Sequence, residues 1–178
     1  MVLPVPSPRT WSVAEVETAS FLNSIRDALA FLTSPPIATV YQTAAQSLSS
    51  GTPAPVSYDS TAVDTYGGHS NSVNPSRYTA VVPGYYTIGG GTPMAGASTG
   101  TQRKLQMYYN GAAVAYATSA VPPPSTTSTA VTPALSPTLV YLNIGDFVSL
   151  YALADTTGVS TTPNGTNESY MTAVWAHA

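Results

Sequence analysis

The sequence predicts an antiparallel all-β domain, a sandwich or jelly roll, preceded by one amphipathic α-helix. Three observations carry that prediction. A helical period is sustained only over residues 12–34. From Ile37 onward the chain is a series of short apolar or alternating runs broken by turn residues, the pattern of many short strands. Only 7% of the 178 residues are charged, where about 25% is usual for a globular domain.

The N-terminal elements follow from local chemistry. Residues 1–10, "MVLPVPSPRT", carry Pro4, Pro6 and Pro8 and form an extended arm with little helical potential. In "WSVAE", Ser12 can cap a helix, Glu15 closes a capping box and Trp11 can staple onto Val16. Val16, Ala19, Leu22, Ile25, Leu29 and Leu32 recur at helical spacing, and Phe21, Ala28 and Phe31 widen the stripe. Pro35-Pro36 stops the helix at Ser34. The chain therefore divides into an arm plus helix, residues 1–36, and a β domain, residues 37–178.

Within the β domain, "IATVYQTA" alternates and "SGTPAPVSYD" is a short extended piece among turn residues. "SRYTAVV" and "GYYTI" read as two strands hinged at Pro83-Gly84. "RKLQMYY" and "AAVAYATSAV" meet at Asn110-Gly111, the strongest short-range hairpin signal. "TLVYLNI" and "DFVSLYALA" are separated by Gly145-Asp146, and "SYMTAVWAHA" closes the chain. The Pro/Ser/Thr-rich residues 122–137 read as a long loop with one edge strand around Thr129 to Val131.

Two of these strands lack a polar face. "DFVSLYALA" sets Phe147, Ser149, Tyr151 and Leu153 against Val148, Leu150 and Ala152. "SYMTAVWAHA" sets Met171, Ala173 and Trp175 against Tyr170, Thr172 and Val174. A half-exposed antiparallel strand shows one polar face, and no helix remains to cover a second apolar one. Oligomerisation covers it. So few surface charges on a free monomer would invite self-association in any case.

Composition excludes several functions. The net charge is −3, with Lys104 the only lysine beside four arginines, so no basic stripe exists for nucleic acid. An apolar fraction of 43% with twelve tyrosines indicates a packed chain rather than disorder. The absence of cysteine rules out disulfides and thiolate metal sites. No stretch reaches 18 apolar residues and the start has prolines where a signal peptide needs an apolar run, so neither membrane spanning nor signal-directed secretion is expected.

Motifs with chemical potential carry little. "GASTG", residues 96–100, matches Gly-x-Ser-x-Gly around Ser98, and Asp146 or Asp155 followed by His177 gives a hydrolase order. A nucleophile elbow, however, needs a strand before the serine and a helix after it, whereas here a Gly-rich loop leads into another strand. His69 and His177 make no metal spacing. Asp59 or Asp64 with backbone carbonyls is the conceivable calcium site, against solvated loop acids as the plain alternative. Asn164 and Asn167 open formal glycosylation sequons in an exposed loop spanning residues 156–169. No enzyme activity, cofactor or metal is expected.

The ordered set "SRYTAVVPGYYTI", "MYYNGAAV", "LNIGDFVSLYA" and "ESYMTAVWAHA", covering residues 76–176, resembles the complement globular-head and tumour-necrosis-factor-like jelly rolls. "RTWSVAEVETASFLNSIRDALAFLTSPP", "VYQTAAQSL" and "DTYGGHSN", within residues 1–90, resemble the N-terminal region of small virion proteins of tailed bacteriophages, often labelled minor tail proteins. These place a leading helix before a trimeric knob. The resemblance implies a TNF-like antiparallel jelly-roll sandwich, a homotrimer, and a structural role on a virion made in the bacterial host cytoplasm. A collagen repeat, a signal peptide and cysteine, present in secreted relatives, are missing, and the calcium-site residues of those relatives are not carried over.

On this reading residues 1–34 anchor the knob to other virion proteins of tail or capsid, through Trp11, Val16, Leu22, Ile25, Leu29 and Leu32. Bundling of three such helices is the other form of docking, and packing of that stripe on its own jelly roll is the plain alternative. Tyr86, Tyr108, Tyr151, Tyr170 and Trp175 are the trimer-interface candidates, weighed against core roles for such rings. Loops at residues 60–75, 92–102 and 156–169 face outward, where Tyr66 could stack on a host-surface glycan. A capsid decoration protein and a carbohydrate-binding module are the alternative functions.

Overall fold

The computed structural model describes residues 18–161 and 169–178. Among the described residues one helix, α1 (Ala19–Thr33), precedes thirteen strands. The expected capping box at Ser12 and Glu15, with Trp11 and Val16, lies outside the described residues. The described helix instead starts from Thr18, whose extended backbone (φ −105°, ψ 156°) and hydroxyl, accepting the Phe21 N–H at 3.3 Å, make it the N-cap. It ends at Ser34, whose N–H reaches back to Ala30 and Phe31 before Pro35-Pro36 forbids a further turn.

The strands form two five-stranded antiparallel sheets and a small third one. The first sheet orders β10 (Ala134–Leu142), β6 (Gly84–Gly91), β13 (Tyr170–His177), β1 (Ile37–Tyr41) and β4 (Ser60–Asp64). In the second, β11 (Phe147–Ala154) lies beside β8 (Arg103–Tyr109), which pairs with β9 (Ala112–Val121). The far edge of β11 holds β3 (Ala54–Pro55) and β5 (Arg77–Thr79). The third sheet joins β2 (Gln46–Leu48), β12 (Val159–Thr161) and β7 (Met94–Ala95). This is an antiparallel jelly-roll sandwich behind one helix.

Inward-pointing side chains from both large sheets meet in one core. Tyr86, Ile88 and Met171 come from the first sheet, and Leu105, Met107, Val148 and Leu150 from the second; all are buried. Tyr58 and Tyr78 complete it. Period-2 alternation supplies this directly: β1 buries Ala38 and Val40, and β13 buries Met171 and Ala173.

Several local expectations change once pairing is known. Pro83-Gly84 does not fold a hairpin, because β5 belongs to the second sheet and β6 to the first. The turn carries the chain across the sandwich, with Gly84 at φ +144°, and a Cβ there would collide with the Trp175 indole nitrogen and the His177 carbonyl. The Asn143 to Asp146 turn makes the same crossing between β10 and β11. Asn110-Gly111 does close the β8–β9 hairpin, both residues at positive φ (46° and 81°). In the Pro-rich stretch, Val131 bridges to Met94, as an edge strand would. Strand β10, however, starts at Ala134 and tolerates Pro137 because the register shifts between Leu135 and Thr138. Residues 60–75 are not all loop, since β4 edges the first sheet, and β7 and β12 lie within the other two expected loops.

Candidate functional site

The outward face of the first sheet is the most distinctive surface. Its five strands contain one acid, Asp64 at the end of the edge strand, and one histidine, His177 at the end of β13; they contain no lysine or arginine. Across this face the registers align Tyr141 with Tyr85 and Leu139 with Thr87. Val174 lies between Thr87 and Ile37, and Tyr170 faces Tyr41. Tyr85, Leu139, Tyr141, Tyr170, Val174 and the edge residue Val63 are all exposed. The aromatic side chains are ordered among themselves: Tyr85 packs edge-on to Tyr141 at 5.1 Å and against His177 at 4.6 Å. Strand β6 ends in Gly89, Gly90 and Gly91, and a Cβ on Gly90 would strike the Tyr170 carbonyl and Leu150.

The second sheet is different. It contains Arg77, Arg103 and Lys104. Outward, Arg77 lies over the Phe147 ring at 4.7 Å, and Tyr108 stacks on Tyr151 at 3.7 Å. Tyr116 on β9 is 76% exposed. Arg103 is fully buried and donates to the carbonyls of Ala97, Gln102 and Thr99, fastening the 97–102 loop. Asp155 accepts from the Thr101 hydroxyl and from the Thr101 and Gln102 N–H groups, which lower its carboxyl to about 2.

The five aromatic candidates therefore separate. Tyr170 lies on the uncharged face. Tyr86 cannot serve an interface: it points into the core, fully buried, its hydroxyl donating to the Val82 carbonyl at 2.7 Å, and burial pushes it up to about 12. Trp175 also faces inward, packed against Phe31 at 4.8 Å with its indole N–H on Pro83. Tyr108 and Tyr151 sit together on the second sheet, not the first. Tyr85, Leu139, Tyr141 and Val174, which were not among the five candidates, are exposed on the same face as Tyr170. Adjacent Tyr85 and Tyr86 must point to opposite sides of a strand, but only the sheet pairing says which one points out.

The helix candidates separate as well. Phe21 and Phe31 are buried, and Phe31 fits between Trp175 and Tyr66, 6.3 Å from the latter. Leu22, Ile25, Leu29 and Leu32 are exposed, so this stripe does not pack on the chain's own jelly roll.

The polar motifs have structural partners. Asp59 accepts the N–H groups of Thr43 and Ala44, and Asp64 those of Tyr66, Gly67, Gly68 and His69. Carboxylates surrounded by N–H donors hold turns together, the reverse of the polarity a cation needs. His69 bridges the carbonyls of Arg77 and Tyr58. Ser98 is exposed on its loop, Asp146 holds Tyr109 and Asn110, and His177 packs on Tyr85, so the hydrolase order has its members engaged elsewhere. Both sequons lie outside the described residues.

No protein-family model and no curated protein sequence matches the chain. Solved structures do. The globular domain of zebrafish complement 1qA protein superposes with a TM-score of 0.58 at 12% identity, covering 80% of this chain and 98% of that one. Eiger TNF from S. frugiperda gives 0.57 at 15% identity, covering 80% and 95%. PRD1 vertex protein P5 gives 0.51 at 16% identity, covering 80% and 97%. The fold is a jelly roll of the complement-head and tumour-necrosis-factor type.

Proposed function

We propose that the chain is a structural virion protein of a tailed bacteriophage, a homotrimeric knob attached through residues 1–34, and specifically a minor tail protein. The observation that carries the assembly half is the uncharged outward face of the first sheet. Exposed Tyr, Leu and Val side chains spread over five strands form the kind of patch that marks an interaction site, and charge depletion with aromatic enrichment is the composition of an interface core. Three copies meeting on this face bury it, and the charged second sheet stays outside. The virion half is supported by the likeness of residues 1–90 to phage virion proteins and by a vertex protein among the structural neighbours. The chain works by binding and assembly, not catalysis.

The test has two parts. Light scattering on the full chain is expected to give three times the 18.4 kDa of one chain, and a monomer at high concentration defeats the assembly half. Labelling of intact particles with an antibody to the chain is expected to mark the tail. Label on the head moves the assignment to a capsid decoration protein, and unlabelled particles defeat the virion half.

A second reading has its own observation. On the outward second sheet, Tyr108 of β8 stacks on Tyr151 of β11, Gln106 of β8 is in register with Tyr151, and Tyr116 is exposed on the adjacent β9. Such a surface can stack on sugar rings of a host glycan, and binding of the knob to host cells that wall glycan competes away would establish it.

A further inference from the structure

The exposed helical stripe has a more specific geometry than a general anchoring surface. Leu22, Ile25, Leu29 and Leu32 are spaced three, four and three residues apart, the strict alternation of a coiled-coil seam. In that register Leu22 and Leu29 occupy the a positions, and Ile25 and Leu32 the d positions. All four are exposed, while Phe21 and Phe31 are buried. Phe31 is spent on the chain's own knob, against Trp175 and Tyr66, and the face that carries the four is open.

We infer that the open face is occupied by the same face of two other copies, so that three α1 helices form a short parallel bundle beneath the knob. This rests on the trimer proposed above and adds a second contact to it. Three observations select copies of this chain over a different partner. First, a strict a/d seam is self-complementary, and Leu at a with Ile at d, as in Leu22 and Ile25, favours three or four strands over two. Second, the helix's only charges, Arg26 and Asp27, pair with each other at 2.7 Å, leaving nothing to steer a charged partner and no like charge to repel a copy. Third, the position is right. Phe31 fixes α1 against Trp175 of β13, and Leu32 lies five residues before Ile37, which pairs with Val174 on the uncharged face. Both contacts lie at the end of the first sheet where β13 finishes and β1 begins, so copies meeting on that face bring their helices to the same end.

The seam spans two heptads, too short to assemble alone. The knob holds the three helices at high local concentration and the seam closes between them. Attachment to the virion then falls to the residues ahead of the seam.

The sequence has no cysteine, so a single introduced thiol reports on one position. Full-length Leu29→Cys is treated with a short bismaleimide beside full-length Asn23→Cys, which places the thiol on the outside of a bundle. Both are sized by light scattering. A trimeric mass with cross-linked chains from Leu29→Cys and almost none from Asn23→Cys is the expected result. A trimeric mass with no cross-link at position 29 overturns the helix bundle, leaves the knob trimer standing, and assigns the seam to another virion protein. A monomeric mass overturns both.

Discussion

Tyrosine carries two opposite roles in this chain, and side-chain burial separates them. Tyr58, Tyr78 and Tyr86 lie in the core, where burial raises all three phenols. In the unfolded chain they ionise near pH 10. The native state therefore holds protons that the unfolded state has lost, and stability falls as pH rises above about 10. A spectrophotometric titration should show these phenols ionising together with unfolding. Asp146 acts at the other end of the scale. The Asn110 side chain, the Tyr109 hydroxyl and the Asn143 N–H all donate to it and hold its carboxyl well below the usual range. The unfolded chain takes up this proton below about pH 4 and the native one does not. The contribution is thus complete above pH 4 and is lost as pH falls through the lower folded value. Asp146→Asn should lower the melting temperature at pH 7 and flatten its decline between neutral and acid pH.

The helix shows how an element is fixed by a few contacts. Phe31 is fully buried, edge-on to Trp175 and Tyr66, and so holds α1 against the sandwich. Phe31→Ala should cost about 3 kcal/mol by cavity formation, read as a lower denaturant midpoint with a red-shifted tryptophan emission as Trp175 becomes wet. Leu29→Ala on the open face should leave both unchanged in the isolated monomer. For the strands, alternation and turn residues made most elements legible. The Asn110-Gly111 hairpin was readable because its chemistry is local. The Pro83-Gly84 and Gly145-Asp146 turns were not, because a Gly-containing turn looks the same whether it closes a hairpin or crosses between sheets. Which strand each run pairs with is decided by partners far along the chain.

For the whole molecule, the low charge fraction is distributed unevenly. Lys104 and Arg77 face outward from the second sheet, and the strands of the first sheet have no lysine or arginine. If the trimer forms on the first sheet, a paired Leu139→Glu and Val174→Glu variant should reduce the light-scattering mass to that of one chain, since two carboxylates per copy would be desolvated without partners. Tyr116→Glu on the second sheet should leave the mass unchanged. The reverse pattern would place the contact on the second sheet, with the Tyr108–Tyr151 pair at its centre.

The sequence by itself determined the fold class and the helix that precedes the strands. Those follow from period, turn chemistry and composition, which are local or global properties of the chain. The uncharged character of β13 could be read from Tyr170, Thr172 and Val174 alone. Tertiary structure decided the rest. It placed Tyr86 in the core and Trp175 against it, and put Tyr108 and Tyr151 on a different sheet from Tyr170. It also buried Phe21 and Phe31 of the helix and left the leucine seam open. Alternation tells which residues share a side of a strand, but not which side meets the core. That choice depends on the pairing of strands a hundred residues apart, and on the two turns that move the chain between sheets.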